Sequence, residues 1–70
     1  MGSTQIGQGL EMWLTERETS EMTGISRSTL QKHRFYGKGI PYVKIGSSIR
    51  YSVKAIKAFM DANTVLTSVN

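Results

Sequence analysis

Residues 26 to 36 hold a dense group of cations and hydroxyls, which are side chains suited to binding phosphates and reading base edges. Ser26 is a good N-cap, so a short helix should begin there. Leu30, with Phe35 or Tyr36, would form its buried side. The opposite side would carry Arg27, Ser28, Thr29, Lys32 and Arg34. We interpret this segment as a DNA-recognition helix.

The charges of the chain are segregated along its length. Nine Lys and Arg against five Asp and Glu give a formal net charge of +4 over 70 residues. All acids except Asp61 lie before residue 22, and no carboxylate falls between Gly24 and Met60. This pattern indicates a polyanionic partner, with the solvated surface of a small basic protein as the alternative.

The composition limits the classes of protein to which this chain can belong. Seventy residues with 39% hydrophobic content allow one small globular domain with a thin core. The absence of cysteine excludes disulfides and thiolate zinc sites. The sequence has no signal-peptide pattern and no apolar run long enough to span a bilayer. We therefore expect a soluble, cytoplasmic, nucleoid-associated protein.

The ionisable residues give little support to catalysis. Glu16 and Glu18 resemble an acid pair, but a capping box with Thr15 explains Glu18. His33 is the only histidine, without the partners that a metal site or a catalytic base needs. It fits either a polar contact at a groove edge or a partly packed side chain. We expect no enzyme activity, no metal and no cofactor.

Two helices joined by a tight turn would position the recognition segment. The capping box predicts a first helix from Glu16 to about Thr23, which Gly24 would end. The second helix would then begin at Ser26, giving a helix-turn-helix. The small Ser20 would lie where the second helix passes closely. The shared apolar seam would be formed by Met22, Ile25 and Leu30.

A β-hairpin should follow the second helix. Two β-rich runs, 42–45 and 49–51, flank a Gly/Ser turn at 46–48. Lys44 and Arg50 would both point outward, either toward a phosphate backbone or only toward solvent. The inward side would be formed by Val43, Ile45, Ile49 and Tyr51.

A third helix should complete the domain. Ser52 is its expected N-cap, and the helix would run from Val53 to about Asn63. Its core-facing stripe would be Val53, Ile56, Phe59 and Met60.

The two ends of the chain have fewer apolar side chains to bury. We expect a flexible leader at 1–9, a folded domain at 10–63 and a frayed tail at 64–70. Trp13 and Leu14 should dock on the core, with a base-stacking role for Trp13 as the alternative.

The order of these motifs resembles a known family. Residues 14–30, followed by 39–46 and 49–51, are similar to the excisionase-type helix-turn-helix family, which is related to the DNA-binding domain of the MerR superfamily. The Ile-Pro-Tyr-Val-Lys-Ile-Gly segment is the most specific part. The resemblance implies an α+β fold, a small winged helix-turn-helix with the order helix, helix, β-hairpin wing, helix.

The resemblance also implies where DNA would bind. The second helix would enter the major groove, and the wing would touch the adjacent minor groove or backbone. The family positions on the recognition helix fall on Arg27, Ser28, Thr29, Lys32 and His33. The wing positions fall on Lys44, Ser47, Ser48 and Arg50. The wing tip is less basic than is common in the family, which predicts weaker wing contacts.

These observations predict a sequence-specific binder of double-stranded DNA. It would act either as an excisionase in DNA recombination or as a transcriptional regulator of a phage, prophage or other mobile element. A recombinase or another DNA-bound protein is a further candidate partner, and no membrane partner is expected. No long dimerisation helix follows the third helix, so we expect a monomer in solution, with any cooperativity arising on DNA.

Two other functions remain open at this point. A small protein-interaction adaptor or anti-repressor would dock a partner protein through the apolar leader and an exposed Trp13. RNA binding ranks third, because the sequence has no multi-aromatic platform on one sheet.

Overall fold

A computed structural model describes residues 12–66 as three helices and a small antiparallel sheet. The predicted α+β winged helix-turn-helix is confirmed. The predicted leader, 1–9, lies outside the described residues, and of the predicted tail only 64–66 are described. In chain order the elements are β1 (Trp13–Leu14), α1 (Glu16–Thr23), α2 (Arg27–Phe35), β2 (Val43–Ile45), β3 (Ser48–Ser52) and α3 (Val53–Ala62).

Local hydrogen bonds fix both ends of α1 where the sequence predicts them. The Thr15 backbone N–H donates to Glu18 Oε1 at 2.8 Å, and the Glu18 backbone N–H donates to Thr15 Oγ1 at 3.1 Å. At the other end, Gly24 adopts φ +79° and donates its N–H to the Ser20 carbonyl at 2.8 Å. Glycine tolerates this left-handed conformation, which turns the chain toward α2.

The capping box should make stability depend on pH. The backbone hydrogen bond from Thr15 lowers the pKa of Glu18 below the ordinary value of a glutamate side chain. A depressed carboxyl pKa contributes stability above the unfolded value, and this contribution is lost as the pH falls through the folded one. We expect the free energy of unfolding of the wild type to decrease as the pH falls below about 4.5. That of Glu18→Gln should decrease less steeply.

Chemical denaturation at pH 7 and pH 3.5 measures this dependence. Glu21→Gln, at an exposed position on the same helix, controls for the loss of one carboxylate. Identical acid dependence in wild type and Glu18→Gln would contradict the prediction.

The sheet closes the domain by joining its first strand to its last. The strand order is β1-β3-β2, with all pairs antiparallel. The sequence did not predict β1 as a strand, and it pairs through Trp13 with Ser52 and through Leu14 with Tyr51. Ser52 is also the N-cap of α3, as predicted, and its Oγ accepts the Ala55 backbone N–H at 2.9 Å. The strand therefore passes directly into the helix.

The core lies between the helix pair, β3 and α3. Its fully buried apolar residues are Leu30, Ile40, Tyr51 and Ile56, with Leu14, Ile25, Ile49, Ala55 and Phe59 packed around them. Ile40 comes from the loop between α2 and β2. Because the buried set draws on separate elements, each contributes only one or two side chains to a thin core.

The residue of α1 that packs most deeply is Thr19, one position before the predicted Ser20. Thr19 is fully buried, and its Oγ1 donates to the Thr15 carbonyl at 2.8 Å, which satisfies its polar group. Ser20 is only half-buried. A hydroxyl that bonds the preceding turn can be buried like a small apolar side chain.

Apart from the aromatic residues 35 and 36, four apolar residues predicted for the core are exposed instead, and one of them, Ile45 of β2, is 71% exposed. Met22 and Met60 line an open groove between α1 and α3, so neither completes its predicted apolar seam or stripe. Trp13 is 50% exposed because Leu14 takes the inward side of β1, and neighbouring strand residues face opposite sides. The prediction that Trp13 docks on the core is therefore wrong, whereas Leu14 does pack there.

Candidate nucleic-acid interface

The outward side of α2 begins with polar residues and ends with an aromatic one. Ser26 Oγ accepts the Thr29 backbone N–H at 3.1 Å and donates to Thr29 Oγ1 at 2.9 Å, so the Thr29 hydroxyl belongs to the helix cap. Leu30 is 1% exposed and fixes the inward side. The exposed residues of α2 are Arg27, Ser28, Gln31, Lys32 and Phe35.

The aromatic residues at the end of α2 face solvent, which corrects the prediction that one of them is buried. Phe35 is 82% exposed, and Tyr36 is exposed beside it with the two ring centroids 5.0 Å apart, edge to face. Phe35 lies five positions after Leu30, and at about 100° per residue this places it far around the helix. The buried side of α2 is completed by other residues.

A single carboxylate, that of Glu16 at the start of α1, accepts hydrogen bonds from three side chains of α2. Glu16 Oε2 accepts Arg27 Nε at 2.8 Å and Gln31 Nε2 at 2.6 Å. Glu16 Oε1 accepts Arg34 Nη2 at 3.1 Å. The three donors are spaced i, i+4 and i+7, so they form one stripe along α2. We call these four residues the Glu16 network.

The Glu16 network holds a carboxylate that is largely withdrawn from solvent. The Glu16 side chain is 12% exposed. Burial alone would raise its pKa, but the hydrogen bonds from Arg27, Gln31 and Arg34 outweigh burial and lower it. Glu16 is thus charged at neutral pH and binds two guanidinium groups.

Arg34, one of the predicted DNA contacts, is engaged inside the domain. Its side chain is 17% exposed, and its Nη1 donates to the Tyr51 hydroxyl at 2.7 Å. Its guanidinium carbon also lies 5.7 Å from the centroid of the Tyr42 ring. Burial opposes its charge, yet the hydrogen bonds to Tyr51 and Glu16 raise its pKa. Arg34 connects α1, α2 and β3, and these contacts favour a structural role over a DNA contact.

His33 is a partly packed side chain, one of the two roles that the sequence left open. It is half-buried, and its Nδ1 is buried without a hydrogen-bond partner among residues 12–66. The Gly39 backbone lies so close that a Cβ on Gly39 would be 2.6 Å from His33 Nδ1. One face of the imidazole therefore packs on the loop after α2.

The wing has a different register from the predicted one. Ile45 pairs with Ser48, so the turn contains two residues, and Gly46 adopts φ +62° within it. Lys44 then lies opposite Ile49, while Val43 lies opposite Arg50. Directly opposed residues share a face, so Lys44 and Arg50 lie on opposite faces of the sheet. The prediction that both point to one outward side is wrong.

The two faces of the wing have different neighbours. Lys44, Ser47 and Ile49 line one open cleft with residues of the end of α2, namely Gln31, Arg34 and Phe35. Arg50 is exposed on the other face beside Trp13, Val43 and Ile45, and its Nη1 donates to the Ile49 carbonyl at 2.8 Å. Ser48 is exposed where β3 begins. The fold thus brings Lys44 and Ser47 to α2 and separates Arg50 from it.

Comparison with known families agrees with this architecture. The family model described as "Helix-turn-helix domain" matches residues 13–64, which covers every helix and strand. The chain belongs to the helix-turn-helix domain family. No curated protein and no solved structure matches it. Membership supports DNA binding through the helix-turn-helix, and none of the helices described is long and apolar enough to cross a membrane.

Sequence reasoning missed two residues at this helix-turn-helix surface. Gln31 was not named, although its position four residues after Arg27 places both on one side of α2. Glu16 was considered only as one member of an acid pair with Glu18. Its contacts with α2 depend on how the two helices cross, and no local sequence signal reports that crossing.

Proposed function

We propose that this helix-turn-helix protein binds double-stranded DNA sequence-specifically, with α2 in the major groove and the wing at the adjacent minor groove or backbone. The observation that carries the proposal is the cleft shared by the end of α2 and one face of the wing. A duplex placed against α2 would meet Lys44 and Ser47 from the neighbouring element. Two elements that share one concave surface can bind one duplex together.

Electrostatics support the same partner. The exposed cations of α2, the loop after it and the wing are Arg27, Lys32, Lys38, Lys44 and Arg50. No carboxylate occurs between residues 24 and 60, and Glu16 on α1 forms a salt bridge with Arg27. Cations that neutralise phosphates release counterions, so the affinity should fall steeply with salt.

The proposed contacts have distinct roles. Arg27 reads a guanine, with Ser28, Thr29 and Lys32 in supporting contacts. His33 packs on the loop after α2 on its Nδ1 side, so only its remaining exposed atoms would reach the groove edge. On the wing, the proposed backbone contacts beside α2 are Lys44 and Ser47, whereas Ser48 and Arg50 would contact the backbone from the other face of the sheet. Arg34 belongs to the predicted set, and its role is to hold α2 in place. Binding involves no catalysis.

The biological role that fits this mode is that of an excisionase or a regulator of a phage or mobile element, as the family resemblance implies. The protein would bend DNA for recombination or block a promoter. We propose that it binds as a monomer, with a recombinase or another DNA-bound protein as neighbour.

Arg27→Ala tests the proposed base readout. On a site selected from a random duplex pool, it should cost about 1–3 kcal/mol and remove the preference at one base pair. Arg17→Ala is the matched control, because Arg17 is an exposed arginine on α1. Fluorescence anisotropy at two salt concentrations measures both variants.

Two results would count against base readout by Arg27. The first is the absence of selection from the pool, and the second is an equal loss for Arg27→Ala on every sequence. The second result would make Arg27 a phosphate contact.

A second candidate function is protein docking through the exposed face of the sheet. Trp13, Val43 and Ile45 form an apolar patch with Arg50 beside it. An NMR titration with a random-sequence duplex distinguishes the two functions. Shifts at residues 26–36 and 44–50 favour DNA, whereas no shift at low salt favours a protein partner.

A further inference from the structure

The Glu16 network constrains which atoms of Arg27 are available for binding. Arg27 donates its Nε to Glu16, and its side chain remains 56% exposed. Neither terminal guanidinium nitrogen of Arg27 has a hydrogen-bond acceptor among residues 12–66. An arginine held through Nε presents its two terminal nitrogens as a fork, and such a fork can bind guanine O6 and N7 together.

Gln31 is oriented by the same carboxylate. Its Nε2 donates to Glu16 Oε2, so its Oε1 remains as an acceptor at an exposed position one helical turn after Arg27. An amide oxygen in the major groove can accept from the amino group of adenine or cytosine. Arg27 and Gln31 thus form an ordered pair of reading groups.

We propose that Glu16 is a positioning residue for base readout, which fixes Arg27 and Gln31 in one orientation before DNA arrives. This inference rests on the proposed function and adds a residue on α1 to it. The expected target has a guanine at the Arg27 position and a neighbouring base with an exposed amino group at the Gln31 position.

Restricting the rotamers of Arg27 before DNA binds should increase its contribution to the binding free energy. Arginine has one of the largest side-chain rotamer entropies, and ordering it normally opposes binding. A side chain that is already ordered loses less freedom when the complex forms. Glu16 is itself ordered, because its second oxygen accepts a hydrogen bond from Arg34 Nη2.

The carboxylate also acts against non-specific binding. Glu16 partly neutralises Arg27, and a carboxylate near the duplex repels phosphates. Guanine offers two acceptor atoms without a full negative charge, so it is less affected than a phosphate. Glu16 should therefore weaken binding to random DNA while preserving the affinity for the preferred site. Specificity is the difference between these two affinities, so it should increase.

Glu16→Gln tests this role with a readout that a purely structural residue would not give. The base preference at the Arg27 position should fall about tenfold, which corresponds to about 1.4 kcal/mol. Affinity for a random-sequence duplex should be unchanged or higher, and the salt dependence should be steeper if the released Arg27 reaches a phosphate. Competition of selected and single-base-changed duplexes by anisotropy measures the preference.

Two further variants separate positioning from stability. Tyr51→Phe removes the acceptor of Arg34 Nη1 without touching Arg27, so it should lower the melting temperature and keep the base preference. In the Arg27→Ala background, Glu16→Gln should cause no further loss of preference at that base pair. This cycle isolates the coupling between the two residues.

If Glu16→Gln does not fold, Arg27→Lys, which keeps the charge and lacks the fork, should lose the preference.

The outcomes are distinct. An unchanged preference in Glu16→Gln, or a proportional loss on selected and random duplexes, overturns the positioning role while sequence-specific binding stands. A folded Arg27→Lys that keeps the preference also overturns it. A wild-type protein without any base preference overturns the proposed function itself.

Discussion

Gly39→Ala should destabilise the protein by about 2–5 kcal/mol, the sum of backbone strain and overpacking. Gly39 adopts φ +87°, and a Cβ there would lie 2.6 Å from Nδ1, 2.7 Å from Cβ and 2.8 Å from Cγ of His33. These distances are shorter than a Cβ atom makes with a non-bonded heavy atom. The His33 ring is also packed, so the loop or α2 must shift to relieve the contact.

Gly37→Ala is the matched control for this prediction. Gly37 adopts φ +67°, but nothing lies within 4 Å of the position that its Cβ would take. Only the strain of the left-handed conformation should appear, about 1–2 kcal/mol. Urea denaturation of both variants measures the difference. Equal losses would show that the contact with His33 contributes nothing.

A double variant refines the result for Gly39. His33→Ala removes the ring but keeps the Cβ, which would still lie 2.7 Å from the new methyl group. We expect His33→Ala to restore only part of the stability lost in Gly39→Ala. Complete rescue would mean that the ring atoms alone cause the effect.

Leu30→Ala should have the second large effect, a loss of about 2–5 kcal/mol. Leu30 is 1% exposed and is the fully buried apolar residue of α2. The truncation removes buried apolar surface and leaves a cavity that a close-packed core fills only in part. Single cores of this size supply about 3–5 kcal/mol in total, so a large fraction of the variant should be unfolded at room temperature.

Leu66→Ala provides the same chemical change at a solvent-exposed position. Leu66 is 87% exposed and lies after α3, so its truncation should change the free energy of unfolding by about 0.5 kcal/mol or less. Thermal unfolding followed by circular dichroism compares the two variants. A wild-type melting temperature for Leu30→Ala would contradict the assignment of Leu30 to the core.

The helices could be predicted because their signals are local. Thr15, Glu18 and Gly24 lie within one or two turns of the termini they define, and the structure places the ends of α1 at the predicted residues. Ser26 and Ser52 cap α2 and α3 for the same reason. A capping hydrogen bond joins residues two or three positions apart, so the sequence contains both partners together.

The wing was harder to predict because one residue decides its register. A turn at 46–48 would pair Ile45 with Ile49, whereas the observed two-residue turn pairs Ile45 with Ser48. A shift of one residue moves alternate side chains to the opposite face. Lys44 and Arg50 were therefore assigned to one side when they lie on two. The Gly/Ser composition of the turn is compatible with either length.

The candidate site was predicted in its surface residues but not in its internal contacts. Arg27, Ser28 and Lys32 are exposed on α2, as helical periodicity indicates. Arg34 is withdrawn by Glu16 and Tyr51, which lie far from it in the sequence. Such partners depend on the packing of whole elements, and no periodic pattern within α2 contains that information. That Arg27, Ser28 and Lys32 contact DNA stays a prediction.

The pairing of β1 with β3 has a consequence for the order in which the domain folds. Helix pairing and the hairpin bring together residues that are near in sequence, but Trp13 meets Ser52, and the Met12 carbonyl accepts the Val53 N–H at 3.0 Å. Closing so long a loop is entropically slow compared with local contacts. On a ribosome, β1 emerges before every other element described here, yet it must wait for β3 before it can pair. The first strand synthesised therefore cannot pair until Tyr51 and Ser52 have been synthesised.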